Sequence, residues 1–282
     1  MDRFEHQLRE SGPRFAELIH RIPLQTHPVV RPDWLRCEML ERHQVLQHAA
    51  LARGSTVLEI GAGGQAISTV PLAFGVGDTG RVVAAERARW DRFMETVAAG
   101  GLQDRVLPVA CDARRLPFRD HSFAQALCVH GLRSLGTEES RVDIIREMLR
   151  VAPRIFLAES LPIAENDAQR AHLAMYDLRE EVFEATTGRR DDTHYLPLDQ
   201  LARLVKRAGG VVERSTSIEV DLPHALAYFP RSLVESIAVA SDREALLRRW
   251  DSANARRERN GEDHPPVGAI TARRASNPSA TR

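Results

Sequence analysis

Three polar residues stand where apolar runs stop, and each is placed to do chemistry. Glu59 sits near the end of Thr56-Val57-Leu58-Glu59-Ile60, which breaks at once into Gly61-Ala62-Gly63-Gly64-Gln65. A buried strand feeding a glycine turn that opens a helix lets a ligand touch the main chain. Glycine reaches φ > 0 there, and the first N–H groups of a helix lack partners. Glu59 sets the charge of that ligand: its carboxylate would repel a pyrophosphate and attract a cation. Such a turn also serves as a plain strand-to-helix connection. Glu86 closes a second run, Arg81-Val82-Val83-Ala84-Ala85. A carboxylate at a strand end accepts from the two neighbouring hydroxyls of a ribose; its other use is as a charge favoured by a helix N-terminus. His130 ends Gln125-Ala126-Leu127-Cys128-Val129, at the edge where open parallel sheets bind ligands. An imidazole there either takes a proton from a weakly acidic acceptor or contacts a ligand through its backbone alone.

The first stretch resembles motif I of class I S-adenosylmethionine-dependent methyltransferases, an acidic-x-Gly-x-Gly turn; Gln65 stands where many members have a third glycine. Asp112-Ala113-Arg114-Arg115-Leu116-Pro117-Phe118-Arg119-Asp120-His121-Ser122-Phe123 is more specific. It closely resembles the Asp-Ala-x-x-Leu-Pro-Phe-x-Asp-x-Ser-Phe run of the small-molecule (type 11) group that includes the ubiquinone and menaquinone C-methyltransferases. Ala124 replaces the acidic residue that often follows. The resemblance has specific motifs over residues 45 to 160 and extends more weakly to the C-terminal strands; it implies a Rossmann-like α/β fold, a mostly parallel seven-stranded sheet with an antiparallel edge hairpin. It implies S-adenosyl-L-methionine as cofactor, with Asp112 accepting from the adenine amine and Ala113 beside the ring. The cofactor set it suggests is Glu59, Gly61, Ala62, Gly63, Gln65, Glu86, Arg87, Asp112, Ala113, Val129 and His130.

The chain has 282 residues, 43% of them hydrophobic and 28% charged, which suits one large domain or one domain with a lid. It lacks an apolar run of about 18 residues, so no membrane span is expected. Lys and Arg balance Asp and Glu at 39 each, so no overall field gathers nucleic acid and a small-molecule acceptor is favoured. Cys37, Cys111 and Cys128 are few and lack CxxC spacing. No metal site is expected from them, and a reducing cytoplasm is the simplest compartment.

Five regions follow from the pattern. Residues 1–50 form an N-terminal helical arm, in which Phe15, Leu18 and Ile19 make one apolar face before a proline-rich connection. Leu35, Met39, Leu46 and Ala50 recur at helical spacing, with Arg53-Gly54 as a stop. Residues 51–160 are the cofactor-binding core, with a helix from Ile67 to Phe74 interrupted by Pro71 and strands over 105–112, 125–130 and 154–159. Residues 161–195 carry a long amphipathic helix as an inserted lid. Residues 196–274 return to the core through a helix ended by Gly209-Gly210, two strands paired as a hairpin (211–222 and 267–273), and a helical excursion between them. Residues 275–282 form a mobile tail.

The acceptor side is assigned to His27, Trp34, Arg133, Tyr176, His194 and Tyr195, with Arg31 beside them; a packed arm and a solvated loop are the alternative uses of the arm residues and of residues 188–195. The expected function is methylation of a small-molecule acceptor at O, N, S or C, by a monomer or homodimer. A methyltransferase acting on protein or RNA, or an inactive cofactor-binding partner subunit, are the alternatives.

Overall fold

The computed structural model describes residues 3–25, 32–87, 90–188, 195–222 and 229–275. In chain order the elements are α1 (Arg3–Glu10), α2 (Pro13–Arg21), α3 (Trp34–Leu46), β1 (Thr56–Ile60), α4 (Thr69–Gly75), β2 (Arg81–Glu86), α5 (Asp91–Ala99) and β3 (Val106–Ala110). There follow β4 (Gln125–Val129), α6 (Glu138–Val151), β5 (Arg154–Ser160), α7 (Asp167–Thr187), α8 (Leu198–Arg207), β6 (Gly210–Ile218), α9 (Arg231–Glu235), α10 (Ala240–Asn260) and β7 (Val267–Arg274).

The strands form one seven-stranded sheet in the order β3-β2-β1-β4-β5-β7-β6. The first five are mutually parallel, and β7 runs antiparallel to both β5 and β6. The central strands are apolar on both faces because helices cover both sides, the usual condition of a parallel sheet. Val57, Val82 and Leu127 pack with α2 to α4, while Leu58, Ile60 and Cys128 face the layer built with α6 and α8. The edges are blunted differently. Pro108 lies in the edge strand β3, where its missing N–H costs no ladder bond on the open side; β6 exposes Glu213 and Arg214 at a bulge.

The local signals explain most boundaries. Thr137 accepts from the Ser140 N–H to start α6, and Asn166 accepts from the Gln169 N–H to start α7, both ordinary N-caps. Gly188 ends α7 with φ 66°. Helices α7 and α10 share a small separate core, in which Met175, Leu178 and Val182 of α7 meet Leu246, Trp250 and Ala253 of α10.

Several expectations are corrected. The helix after the glycine turn starts at Thr69, so Pro71 lies in its first turn, where a missing N–H is tolerated, and does not interrupt it. The α-helix of the arm stops at Leu46 and tightens through residues 47–49; Ala50 is exposed at φ 52° and leaves the helical face. The strands are shorter than the apolar runs, β3 beginning at Val106 and β6 ending at Ile218. The arm is also more packed than its polar composition suggests: α1 buries Phe4 and Leu8, while α2 buries the predicted Phe15, Leu18 and Ile19. His6 and His20 are exposed. The tail from 276 onward lies outside the described residues.

Candidate active site

The carboxyl ends of β1, β2 and β4 meet at the glycine turn. Gly61 leaves β1 with φ 72° and Gly63 follows with φ 67°, conformations that need glycine. The turn is held by the Gly61 N–H donating to the Ala85 carbonyl at 3.0 Å. A Cβ on Gly61 would meet the Gly131 Cα at 3.6 Å, so the loops after β1 and β4 approach closely, while a Cβ on Gly63 would meet nothing within 4 Å. That open side of Gly63 is the cradle that a bound group would fill.

Two carboxylates flank this turn. Glu86 accepts from the Gly63 N–H at 3.2 Å and from the Arg87 N–H at 2.7 Å. Glu59 is 2% exposed and accepts from the Thr69 hydroxyl at 2.6 Å through Oε2, while its Oε1 has no hydrogen-bond partner among the described residues. Burial pushes the Glu59 carboxyl up to about 7, with the Thr69 bond opposing and the Glu86 charge adding. Gln65 Oε1 is likewise buried without a hydrogen bond. Two orphaned oxygens beside a glycine cradle are what a ligand bearing N–H donors would satisfy.

Asp112 follows β3 and accepts from the Arg114 main-chain N–H at 2.9 Å and from its guanidinium at 2.6 to 3.1 Å. Those bonds hold its carboxyl well below the usual carboxylate range. Ala113 is half-buried beside it, Arg87 is exposed, and Ala62 and Val129 are buried.

His130 has φ 52°, a left-handed conformation uncommon outside glycine and enriched at functional sites. Its Nε2 lies 3.0 Å from Glu41 Oε1 and its Nδ1 3.1 Å from Ser160 Oγ. Of the residues expected to line an acceptor site, the structure brings Arg133, Tyr176 and Tyr195 together. The Arg133 guanidinium lies 5.9 Å from the Tyr195 ring centroid, and the two tyrosine rings are 4.9 Å apart. Tyr195 Oη is buried without a hydrogen-bond partner among the described residues, as is Trp34 Nε1, and burial raises the Tyr195 phenol. Arg133 is tied to the fully buried Glu159, which accepts its N–H at 3.1 Å. His27, Arg31 and His194 lie outside the described residues.

Glu41, Arg42, Ser160, Glu159 and His264 were not anticipated. Charged residues in the middle of an amphipathic-looking helix read as a solvated face, yet Glu38, Glu41, Arg42 and His43 of α3 are all buried. The surplus of charge on one short helix that must enter a sheet layer is the signal that was available.

This strand order, with β7 inserted antiparallel between β5 and β6, and a glycine turn after β1 define the class I methyltransferase fold. A cyclopropane-fatty-acyl-phospholipid synthase-like protein from Lactobacillus casei superposes with TM-score 0.71 at 17% identity, covering 92% of this chain and 98% of that one. A SAM-dependent methyltransferase from Aquifex aeolicus superposes with TM-score 0.51 at 16% identity, covering 84% and 91%. These likenesses concern the fold. In sequence, the ubiquinone/menaquinone biosynthesis C-methyltransferase UbiE of an Enterobacter species is 32% identical over 120 residues, 42% of this chain and 47% of that protein. UbiE of Ectopseudomonas mendocina is 38% identical over 104 residues, 35% of this chain and 38% of that protein. The match thus spans less than half the length of these relatives. No family model matches the sequence.

Proposed function

We propose that the protein is an S-adenosylmethionine-dependent methyltransferase acting on a small-molecule acceptor. The observation that carries this reading is the pair of carboxylates at the glycine turn, Glu86 on the Gly63 N–H and Glu59 buried behind it. Together they make the helix start hostile to a pyrophosphate and suited to a sulfonium and ammonium cation joined to a ribose. The UbiE likeness over the same part of the chain supports it.

On this proposal the Gly61–Gly63 main chain, Gln65 and Glu59 hold the methionine end, Glu86 accepts from the ribose hydroxyls, and Asp112 with Ala113 takes the adenine. Bound there, the cofactor supplies an activated methyl on a positively charged sulfur. The chain's task is placement, since holding an acceptor in line with the breaking S–C bond supplies much of the rate. The α7 lid and the Trp34 end of the arm cover the acceptor, with Arg133, Tyr176 and Tyr195 in its wall and His130 at the methyl end. A thiolate or neutral amine acceptor already carries a lone pair; a phenol or activated carbon needs a proton removed. No helix among the described residues is long and apolar enough to cross a membrane. None of the three cysteines is in a disulfide, and the proposal places the protein in a reducing cytoplasm.

Calorimetric titration with S-adenosylmethionine and, separately, with NAD tests the reading. Binding of the first alone is expected, followed by transfer of a labelled methyl to an acceptor in a metabolite screen. Binding of NAD alone would overturn it.

A pH dependence follows from Glu59. With its carboxyl near 7 in the free protein, a cation bound beside it favours the ionised form, so binding releases a proton. Affinity for S-adenosylmethionine should therefore rise between about pH 6 and about pH 8. The sign for stability is opposite: the unfolded group ionises near about 4.3, so ionising it in the fold costs stability as pH climbs from there through about 7. Titrations in buffers of different ionisation heat read the proton directly. A pH-independent affinity in the wild type, or the same slope in Glu59→Gln, would remove Glu59 from the cofactor site.

A further inference from the structure

Three side chains of metal-ligating type, drawn from distant parts of the chain, converge at the carboxyl edge of the sheet. Glu41 comes from α3, His130 from the left-handed residue after β4, and His264 from the segment that enters β7. Because Val267 of β7 lies opposite Ser160 at the end of β5, residues just before β7 emerge at the same edge as residues just after β4. His130 Nε2 is 3.0 Å from Glu41 Oε1, and His264 Nε2 is 3.8 Å from the same oxygen. The three ligating atoms all lie within 4.8 Å of one another, and the side chains are between 2% and 4% exposed.

Each of the three is oriented from behind. His264 Nδ1 is 2.6 Å from the Pro265 carbonyl. A carbonyl only accepts, so Nδ1 carries the proton and Nε2 is the basic nitrogen of the neutral ring. His130 Nδ1 faces Ser160 Oγ at 3.1 Å, a hydroxyl able to accept in the same way. Arg42 takes the other oxygen of Glu41, which turns Oε1 toward both imidazoles. The main chain of His264 is fixed as well: its N–H donates to the Leu222 carbonyl at 3.1 Å, and its carbonyl accepts from Gln169 Nε2 of α7 at 3.0 Å. Backing of this kind fixes tautomer and ring direction in metal sites generally.

We propose that Glu41, His130 and His264 form a binding site for a divalent transition-metal ion of the Zn²⁺ class. Donor atoms held about 2.1 Å from one tetrahedral or octahedral centre lie roughly 3.0 to 3.4 Å apart, and the 3.0 and 3.8 Å separations here reach that range by small side-chain rotations. Two imidazoles and one carboxylate suit zinc or ferrous iron, whereas Mg²⁺ and Ca²⁺ take oxygen ligands. Three protein ligands leave a coordination position for water or for an oxygen or sulfur atom of a small molecule, unlike the closed four-ligand set of a structural site. The site meets the methyl-transfer reading at His130 alone and does not rest on it, because Glu59, the glycine turn, Glu86 and Asp112 take no part in it.

The test uses the whole chain, stripped with a chelator and desalted. It is titrated with Zn²⁺ against a chromogenic competitor and with Co²⁺ followed by visible absorption. One equivalent should bind, Co²⁺ should develop the d–d bands of a low-coordinate nitrogen and oxygen site, and Zn²⁺ should raise the thermal midpoint. His264→Gln should weaken Zn²⁺ binding by roughly 100-fold or more, and Ser160→Ala, which removes the hydroxyl facing His130 Nδ1 and no ligand, by about 10-fold. If His264→Gln does not fold, the stoichiometry and Co²⁺ spectrum of the wild type decide. Failure to bind Zn²⁺ by wild-type protein that still binds S-adenosylmethionine would overturn the proposal. So would equal Zn²⁺ affinity in a folded His264→Gln, and the cluster would then be a hydrogen-bonded relay from Glu41 through His130 to Ser160.

Discussion

Glu86→Ala should lower the affinity for S-adenosylmethionine by about 100-fold or more while leaving the fold in place. Two hydrogen bonds from ribose hydroxyls to a carboxylate are each worth roughly 1.5 to 3 kcal/mol, and a loss of about 3 kcal/mol is a little over 100-fold in Kd. The carboxylate has a second task in the protein itself, because it accepts the Gly63 N–H and so pins the turn on which the methionine end would rest. Glu86→Gln separates the two. The amide keeps an acceptor for one donor but loses the charge, so its affinity should fall between those of the wild type and the alanine variant. Glu86 is only half-buried at the end of β2, so circular dichroism and the thermal midpoint should change little. Unchanged affinity in Glu86→Ala would remove Glu86 from the site and, with it, the reading of the turn as a cofactor cradle.

The residues that were legible in the sequence are those whose function is local. Glu59, Gly61 and Gly63 share one strand-turn unit, and Glu86 and Asp112 end or follow strands that apolar runs mark clearly. The runs marked most strands of the sheet, with helices before β1, β2 and β5, while the fold class came from the family resemblance that the Glu59 turn and the Asp112 stretch carry. What stayed hidden depends on contacts across the chain. His264 reaches His130 only because β7 inserts between β5 and β6, a pairing that a hairpin pattern alone does not locate against the parallel core. Glu41 and Arg42 were hard to read for a different reason, the surplus of charge on their helix being the one sign of them. Charges that neutralise each other inside a fold look, in sequence, the same as charges facing water. The Pro71 misreading is a third kind: periodicity locates a helix but not the residue at which it starts, and a proline two positions inside is permitted where one in the middle is not.

Arg42→Met should destabilise the protein by about 3 to 5 kcal/mol, the usual cost of removing one partner from a buried ion pair. Arg42 is 7% exposed and its guanidinium lies between two carboxylates of its own helix, Glu41 through Nη1 and Glu38 through Nη2 at 3.2 Å. Burial lowers its pKa and the Glu38 charge resists that shift, so the cation is held at a desolvation cost that its partners offset only in part. Methionine fills a similar volume without the charge, leaving Glu38 and Glu41 without the guanidinium they share. For a chain of this size the loss corresponds to roughly 6 °C or more in Tm, read by calorimetric unfolding. Adding Glu38→Gln to Arg42→Met should restore part of it, because one buried carboxylate no longer needs the cation, and a double-mutant cycle measures that coupling. If Arg42→Met unfolds as the wild type does, the α3 charges are solvated and the helix does not enter the layer as described. That outcome would also release Glu41 from the orientation that turns Oε1 toward His130 and His264, so the stability of this one variant bears on the metal site as directly as on the core.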